Sequence, residues 1–201
     1  ELLGKLRDIA RSGPAPSVTA NRSDTSIGRT LEALLGISMN SSKAPDYKGI
    51  EIKSARWRPG SRQNRKQLFA QVPDWSISKF KSSSEILDAF GYNREGVVKL
   101  NCTVSAAVVN SQGLSFRLDP ETDRLKEYSD KPAIGDFAEW QLEVLRGRLQ
   151  EKHAETFWVT ADSIDMSGHE HFQFRKVVHT RRPILAQFDM LLEQGTITMD
   201  H

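Results

Sequence analysis

The sequence predicts a mixed α/β fold in which a mixed central sheet is flanked by helices. Three observations lead there. Apolar residues recur at helical spacing through Ile27, Leu31, Leu34 and Leu35. They alternate with polar ones through Gly49-Ile-Glu-Ile-Lys-Ser54, as in a half-buried strand. The other strand-like runs sit both in hairpins and beside helices, an order that suits a mixed sheet.

In chain order, Leu2 to Ile9 has helical spacing and Ser12-Gly-Pro-Ala-Pro16 stops it. Asn21 to Thr25 offers N-cap residues for the helix over Ile27–Leu35, and Gly36 offers its stop. After polar residues from Ser38 to Lys48 comes the strand at 49–54, with Gln67-Leu-Phe-Ala-Gln-Val72 expected as its hairpin partner. Ser84 to Phe90 reads as a short helix capped by Gly91. Val97 to Val109 and Leu114 to Leu118 read as strands joined at Asn110-Ser-Gln-Gly113. Phe137 to Leu149 has the clearest helical look. Thr156–Thr160 and Phe172–Val178 follow as strands, then Ile184–Glu193 as a closing helix before Gly195, and a strand-like Thr196–Met199.

The 201 residues fit one compact domain with room for a small insertion, and bury a core without disulfides. Hydrophobic residues at 38% and charged residues at 27% suit a globular protein. No apolar run reaches membrane-spanning length and no signal pattern opens the chain, so a cytoplasmic location and no membrane partner are expected. Starting at Glu1, the chain reads as a fragment or a processed product. The single Cys102 excludes an internal disulfide and a multi-cysteine zinc site, and its apolar strand context marks a structural thiol. There is neither a G-x-S-x-G elbow nor a phosphate-binding G-x-x-x-x-G-K loop. The net charge of +2 identifies no partner, but its distribution is uneven. Arg56, Arg58, Arg62, Arg65 and Lys66 form one basic block, and Arg175, Lys176, His179, Arg181 and Arg182 another. Each block is either a phosphate-tracking surface or a solvated face.

The chemistry-bearing stretch is Lys43-Ala-Pro-Asp-Tyr-Lys-Gly-Ile-Glu-Ile-Lys-Ser54. Period-two geometry puts Glu51 and Lys53 on one face of the strand and Ile50 and Ile52 on the other. Asp46, just before the strand, can curl back beside them. Two carboxylates suffice to anchor Mg²⁺, which keeps several of its waters. The Ile52 carbonyl is a further candidate ligand. A lysine beside such an ion can orient an attacking water or stabilise charge on a pentavalent phosphorus. A D-x(n)-E-x-K string is common by chance, and Glu and Lys on an outward face are ordinary surface. What favours the chemical reading is the surrounding sequence: Pro-Asp before the strand, a one-sided apolar set, a basic loop after it, and Glu32 on the preceding helix. His169-Glu-His171 lacks further zinc ligands, so DNA contact or plain surface is the better account of His171. His179, Arg181 and Arg182 divide evenly among phosphate contact, base contact and surface. Trp57 is a stacking candidate in the basic loop, although tryptophan is more often packed.

Three motifs carry a resemblance. Gly28-Arg-Thr-Leu-Glu32, Ser42-Lys-Ala-Pro-Asp46 and Gly49-Ile-Glu-Ile-Lys53 resemble restriction endonucleases of the MvaI/BcnI type, a MutH-like branch of the PD-(D/E)xK nucleases. The four residues between Asp46 and Glu51 are similar to the spacing in the MvaI branch. Leu68–Trp75, Glu155–Val159 and Phe188–Gly195 also look like that family. The resemblance implies a restriction-endonuclease-like fold, with an N-terminal helix and linker over 1–25 and the nuclease domain over 26–201. Relatives continue beyond this point, so a truncated C-terminal end is expected. It implies Mg²⁺-dependent hydrolysis of double-stranded DNA at a short recognition sequence, with Mn²⁺ as a substitute ion, leaving 5′-phosphate ends. Asp46 and Glu51 would be metal ligands, Lys53 the catalytic lysine and Glu32 an auxiliary acid. A monomer and a cognate DNA methyltransferase in the same system are expected. The alternatives are a MutH-like nicking nuclease activated by a partner and a non-catalytic DNA-binding module that keeps the fold.

Overall fold

Leu2 and Leu6 lie one helical turn apart and are both buried, anchoring α1 (Leu2–Arg11), and the chain then meets Gly13 and Pro14, which does not continue a helix. The computed structural model describes residues 1–38, 44–57 and 65–201. Arg58, Arg62, Ser42 and Lys43 of the expected basic block and motifs lie outside the described residues. A short β1 (Ala15–Pro16) leads to α2 (Ser26–Leu35), where Ile27, Leu31 and Leu35 form the buried stripe. Gly36 ends α2 in the left-handed region at φ 72°, and the Ile37 N–H returns to the Glu32 carbonyl at 2.9 Å. Then come β2 (Glu51–Arg56), α3 (Ser83–Phe90), β3 (Tyr92–Arg94), β4 (Val97–Lys99) and β5 (Thr103–Val104). They are followed by β6 (Leu114–Asp119), β7 (Arg124–Ser129), β8 (Gly135–Gln141) and α4 (Leu142–His153). The chain closes through β9 (Glu155–Met166), β10 (His169–Arg181), α5 (Leu185–Glu193) and β11 (Met199–Asp200). Among the described residues no helix is long and apolar enough to cross a membrane.

Two compact units result. The first, Glu1–Leu68 with Gln150–Pro183, holds a mixed sheet in the order β1-β10-β9-β2. Its strands pair antiparallel except β2, which runs parallel to β9. Leu2 and Leu6 of α1 share one core with Ile27, Leu31 and Leu35 of α2 and with Ile52, Phe157, Val159, Phe172 and Phe174 of the sheet. Burying each of the larger side chains contributes roughly 1.5–3 kcal/mol.

The second unit, Phe69–Leu149 with Ile184–His201, is built on the antiparallel sheet β6-β7-β8 and the pairs β3-β4 and β5-β11. Phe80, Phe90 and Phe137 pack in it as tilted rings with centroids 4.8–6.3 Å apart. Arg146 bridges Asp123 and Asp189, at 2.8 and 2.6 Å.

Three expectations about elements are corrected. Gln67–Val72 is not a strand and β2 has no hairpin partner there; its neighbour is β9, with Glu51 opposite Thr156 and Lys53 opposite Trp158. The carbonyls of Leu68 and Gln71 go instead to the ring nitrogens of His153 and Trp140, both at 2.9 Å. Phe137 to Gln141 is strand, not the start of the helix, which begins at Leu142 and runs to His153. A bulge explains the misreading. Glu127 faces Ala138 and Tyr128 faces Asp136, so Phe137 is the extra residue, and two consecutive buried residues imitate a helical pattern. Val97–Val109 is broken into β4 and β5, and beyond them Asn110 uses its side chain to close the following turn on the N–H groups of Gln112 and Leu114.

Glu127 is fully buried in the second unit, with Oε1 2.7 Å from His201 Nε2 and Oε2 lacking a partner among the described residues. Burial pushes its carboxyl above the ordinary 4.5, against the pull of His201. A carboxyl raised in the fold contributes stability below its unfolded pKa and loses it as pH rises through the folded one. Glu127→Gln does not titrate. Its melting temperature should therefore gain on wild type by a few degrees between about pH 4.5 and pH 8, read by calorimetry across pH. A variant that instead loses ground as pH rises would show a stabilising charged pair with His201.

Candidate active site

Lys48 and Gly49 both have positive φ, 49° and 83°, and form a two-residue turn. The Tyr47 N–H donates to the Ile50 carbonyl at 3.0 Å and the Ile50 N–H to the Tyr47 carbonyl at 2.9 Å. That pairing brings Asp46 back opposite Glu51, the next pair outward. Asp46 is fixed there, its Oδ2 accepting the Ile52 N–H at 2.8 Å.

β2 does the rest. Ile52 points into the core at 8% exposure, while Glu51 and Lys53 share the opposite face, with Lys53 Nζ 3.0 Å from Glu51 Oε1. Glu51 is only 3% exposed. Its other oxygen, Oε2, lies 3.0 Å from Lys152 Nζ, and the same ammonium donates to the Ala44 carbonyl at 3.2 Å. Burial pushes the Asp46 carboxyl up, and Glu51 adds to this against the Ile52 hydrogen bond and the lysines. Burial raises Glu32 too, with Asp46 and Glu51 contributing. The structure thus brings Asp46, Glu51 and Lys53 together, and leaves Glu32, expected as an auxiliary acid, within electrostatic range of Asp46 and Glu51.

Sequence reasoning missed Lys152 and His153 at the end of α4. His153 is buried, and its pKa is lowered, chiefly by that burial. A carbonyl only accepts, so Nε2, 2.9 Å from the Leu68 oxygen, carries the proton. Nδ1 then accepts from the Thr156 hydroxyl at 2.9 Å. The neutral ring stacks on Trp158 at 5.5 Å and closes the Glu51 face. No local signal marks these two residues; knowing that β9 is the parallel neighbour of β2 would have.

The basic residues fare unevenly. Arg56 is on the same face as Ile52, its side chain 13% exposed, with Nε and Nη2 donating to Glu170 at 2.8 and 2.9 Å and its guanidinium over the Phe172 ring. Ser163 also donates to Glu170, at 2.5 Å. Arg65 and Lys66 are exposed. Arg175 pairs with Asp162 at 2.8 Å, and His171 Nδ1 lies 3.1 Å from the His169 carbonyl. His179 stacks on Phe157 and, with Arg181, contacts Glu155, at 2.8 and 3.5 Å. Arg182 is exposed at the end of β10. Glu51, Thr156 and Thr180 lie in one row across the sheet, so the basic end of β10 comes within about 10–15 Å of Glu51. Trp57 is half-exposed beyond β2.

The donor set suits a hard divalent ion: the buried Glu51 carboxylate and the partly buried Asp46 carboxylate, whose proton affinity Glu51 helps to raise. Among the described residues no group of three or more His, Cys, Asp or Glu is close enough to hold a metal, so an ion here would complete its shell with water and backbone oxygen.

No curated protein sequence matches the chain. The structure of restriction endonuclease MvaI with its cognate DNA substrate matches at a TM-score of 0.82 and 20% identity, covering 99% of this chain and 81% of that one. MvaI in the absence of DNA matches at a TM-score of 0.49 and 18% identity, over 98% and 79%. The MvaI/BcnI restriction endonuclease family matches residues 3–201. With Asp46, Glu51 and Lys53 gathered on one strand face and almost every residue inside that match, the chain belongs to the MvaI/BcnI restriction endonuclease family of DNA endonucleases.

Proposed function

We propose that the protein is a Mg²⁺-dependent endonuclease that hydrolyses double-stranded DNA at a short recognition sequence and acts as a monomer. The observation that carries this is Asp46 facing Glu51 across a two-residue turn, with Lys53 on the same strand face. Asp46, Glu51 and the Ile52 carbonyl would hold the ion, with Mn²⁺ able to replace it. When bound, the ion polarises the scissile phosphate and acidifies a water. Lys53, held by Glu51, would steady the charge that builds up as the water oxygen adds to phosphorus. The P–O3′ bond breaks, the 3′ oxygen takes up a proton, and a 5′-phosphate is left. Glu32 tunes the carboxylate pair from outside. Lys66, Arg181 and Arg182 are the exposed cations best placed to meet phosphates, with Arg65, Arg175, His171 and His179 around them; Arg56 serves the fold.

The cognate DNA substrate bound by MvaI supports DNA as the substrate. The test is plasmid cleavage by the purified protein alone. Cutting to discrete fragments with Mg²⁺ or Mn²⁺ and none in EDTA is expected. Cutting that persists in EDTA rejects the ion's role, and DNA binding without cutting in any metal points to a binding module.

A further inference from the structure

Glu51 carries more counter-charge than a catalytic carboxylate needs. Both of its oxygens are taken by ammonium groups at 3.0 Å, Lys53 on Oε1 and Lys152 on Oε2. Lys53 comes with the strand. Lys152 comes from the far end of the chain's longest described helix, and its side chain is 14% exposed. The neutral His153 beside it, tied to Leu68 and Thr156, holds that helix end against the sheet. Lys152 also bonds the Ala44 carbonyl, two residues before Asp46. One ammonium therefore fastens the Asp46 turn to Glu51. A carboxylate buried this deeply is costly without a partner, and Lys152 supplies one when no divalent ion does.

We infer that Lys152 is a positioning residue that stands in for the divalent cation, holding Glu51 and the Asp46 turn in place in the metal-free protein and yielding Glu51 Oε2 when the ion binds. The inference rests on the metal-site reading above. An ion shared by Asp46 and Glu51 needs a lone pair on Glu51, and its charge repels an ammonium 3.0 Å away. Lys152 and the ion then compete for the same oxygen. Competition of this kind is a coupling between two ligands of one group, so removing one must strengthen the other.

The experiment uses the full chain with Mn²⁺ as probe, by calorimetric titration and by melting in EDTA and in Mn²⁺. In Lys152→Met the melting temperature in EDTA should fall, the rise on adding Mn²⁺ should exceed that of wild type, and Mn²⁺ should bind about 5- to 10-fold tighter. Lys152→Gln keeps a donor for the Ala44 carbonyl without the charge. It should show the same tighter binding with a smaller loss in EDTA, and it serves if the methionine variant does not fold. Lys152→Arg should restore the wild-type pattern. A merely structural lysine would lower both melting temperatures equally and leave Mn²⁺ affinity unchanged or weaker, and that result overturns the inference alone. If wild type itself shows neither Mn²⁺ binding nor stabilisation, the metal-site reading fails and the inference falls with it.

Discussion

Lys53→Ala is expected to lower DNA cleavage by about 10²- to 10⁴-fold, the range for removing a group that acts on charge and protons in the transition state. The fold should survive. Lys53 is partly exposed, so water can replace its ammonium at Glu51 Oε1, while Oε2 keeps Lys152 or the ion that displaces it. Single-turnover cleavage in Mg²⁺ measures the chemical loss, and a gel shift in Ca²⁺ measures binding, which should change by no more than about threefold because one phosphate contact among many is removed. Near-wild-type cutting by the variant would take Lys53 out of the chemistry. Equal losses in both assays would make it a binding residue.

The second large effect lies at Arg56. Its guanidinium and the Glu170 carboxylate face each other in two hydrogen bonds, both largely buried, with Phe172 beneath. Removing one partner leaves the other buried and unpaired, which typically costs about 3–5 kcal/mol. Arg56→Ala and Glu170→Ala should each lower the urea midpoint by a corresponding amount, and the double variant should lose less than the two together. If Arg56→Ala kept its midpoint but bound DNA more weakly and with a shallower salt dependence, Arg56 would be a phosphate contact after all.

These two residues show what the sequence makes visible. Lys53 was legible because everything that positions it is local: a strand alternation and a turn of two residues. Arg56 could have been read by the same rule. Positions 52, 54 and 56 share a face, so an arginine two steps past a core isoleucine belongs with the core once a buried acid waits there. Its place in a row of basic residues hid that parity. The partner strand was hidden differently. Thr156–Ala161 pairs with β2 from about a hundred positions away, and parallel neighbours leave no turn to announce them. Lys152 and His153 follow from that pairing and were lost with it. Phe137 misled through the bulge, because one inserted residue puts two apolar side chains in succession and breaks the two-step rhythm.

The Lys48-Gly49 reversal has a consequence for how this enzyme can change. It is the shortest loop that lets a chain fold back on itself, and the two acidic groups are measured off from it like marks on a ruler. A single inserted or deleted residue would slide one arm by a step and send Asp46 to the wrong side of the ribbon. Evolution can therefore vary which amino acids occupy that stretch far more freely than how many there are.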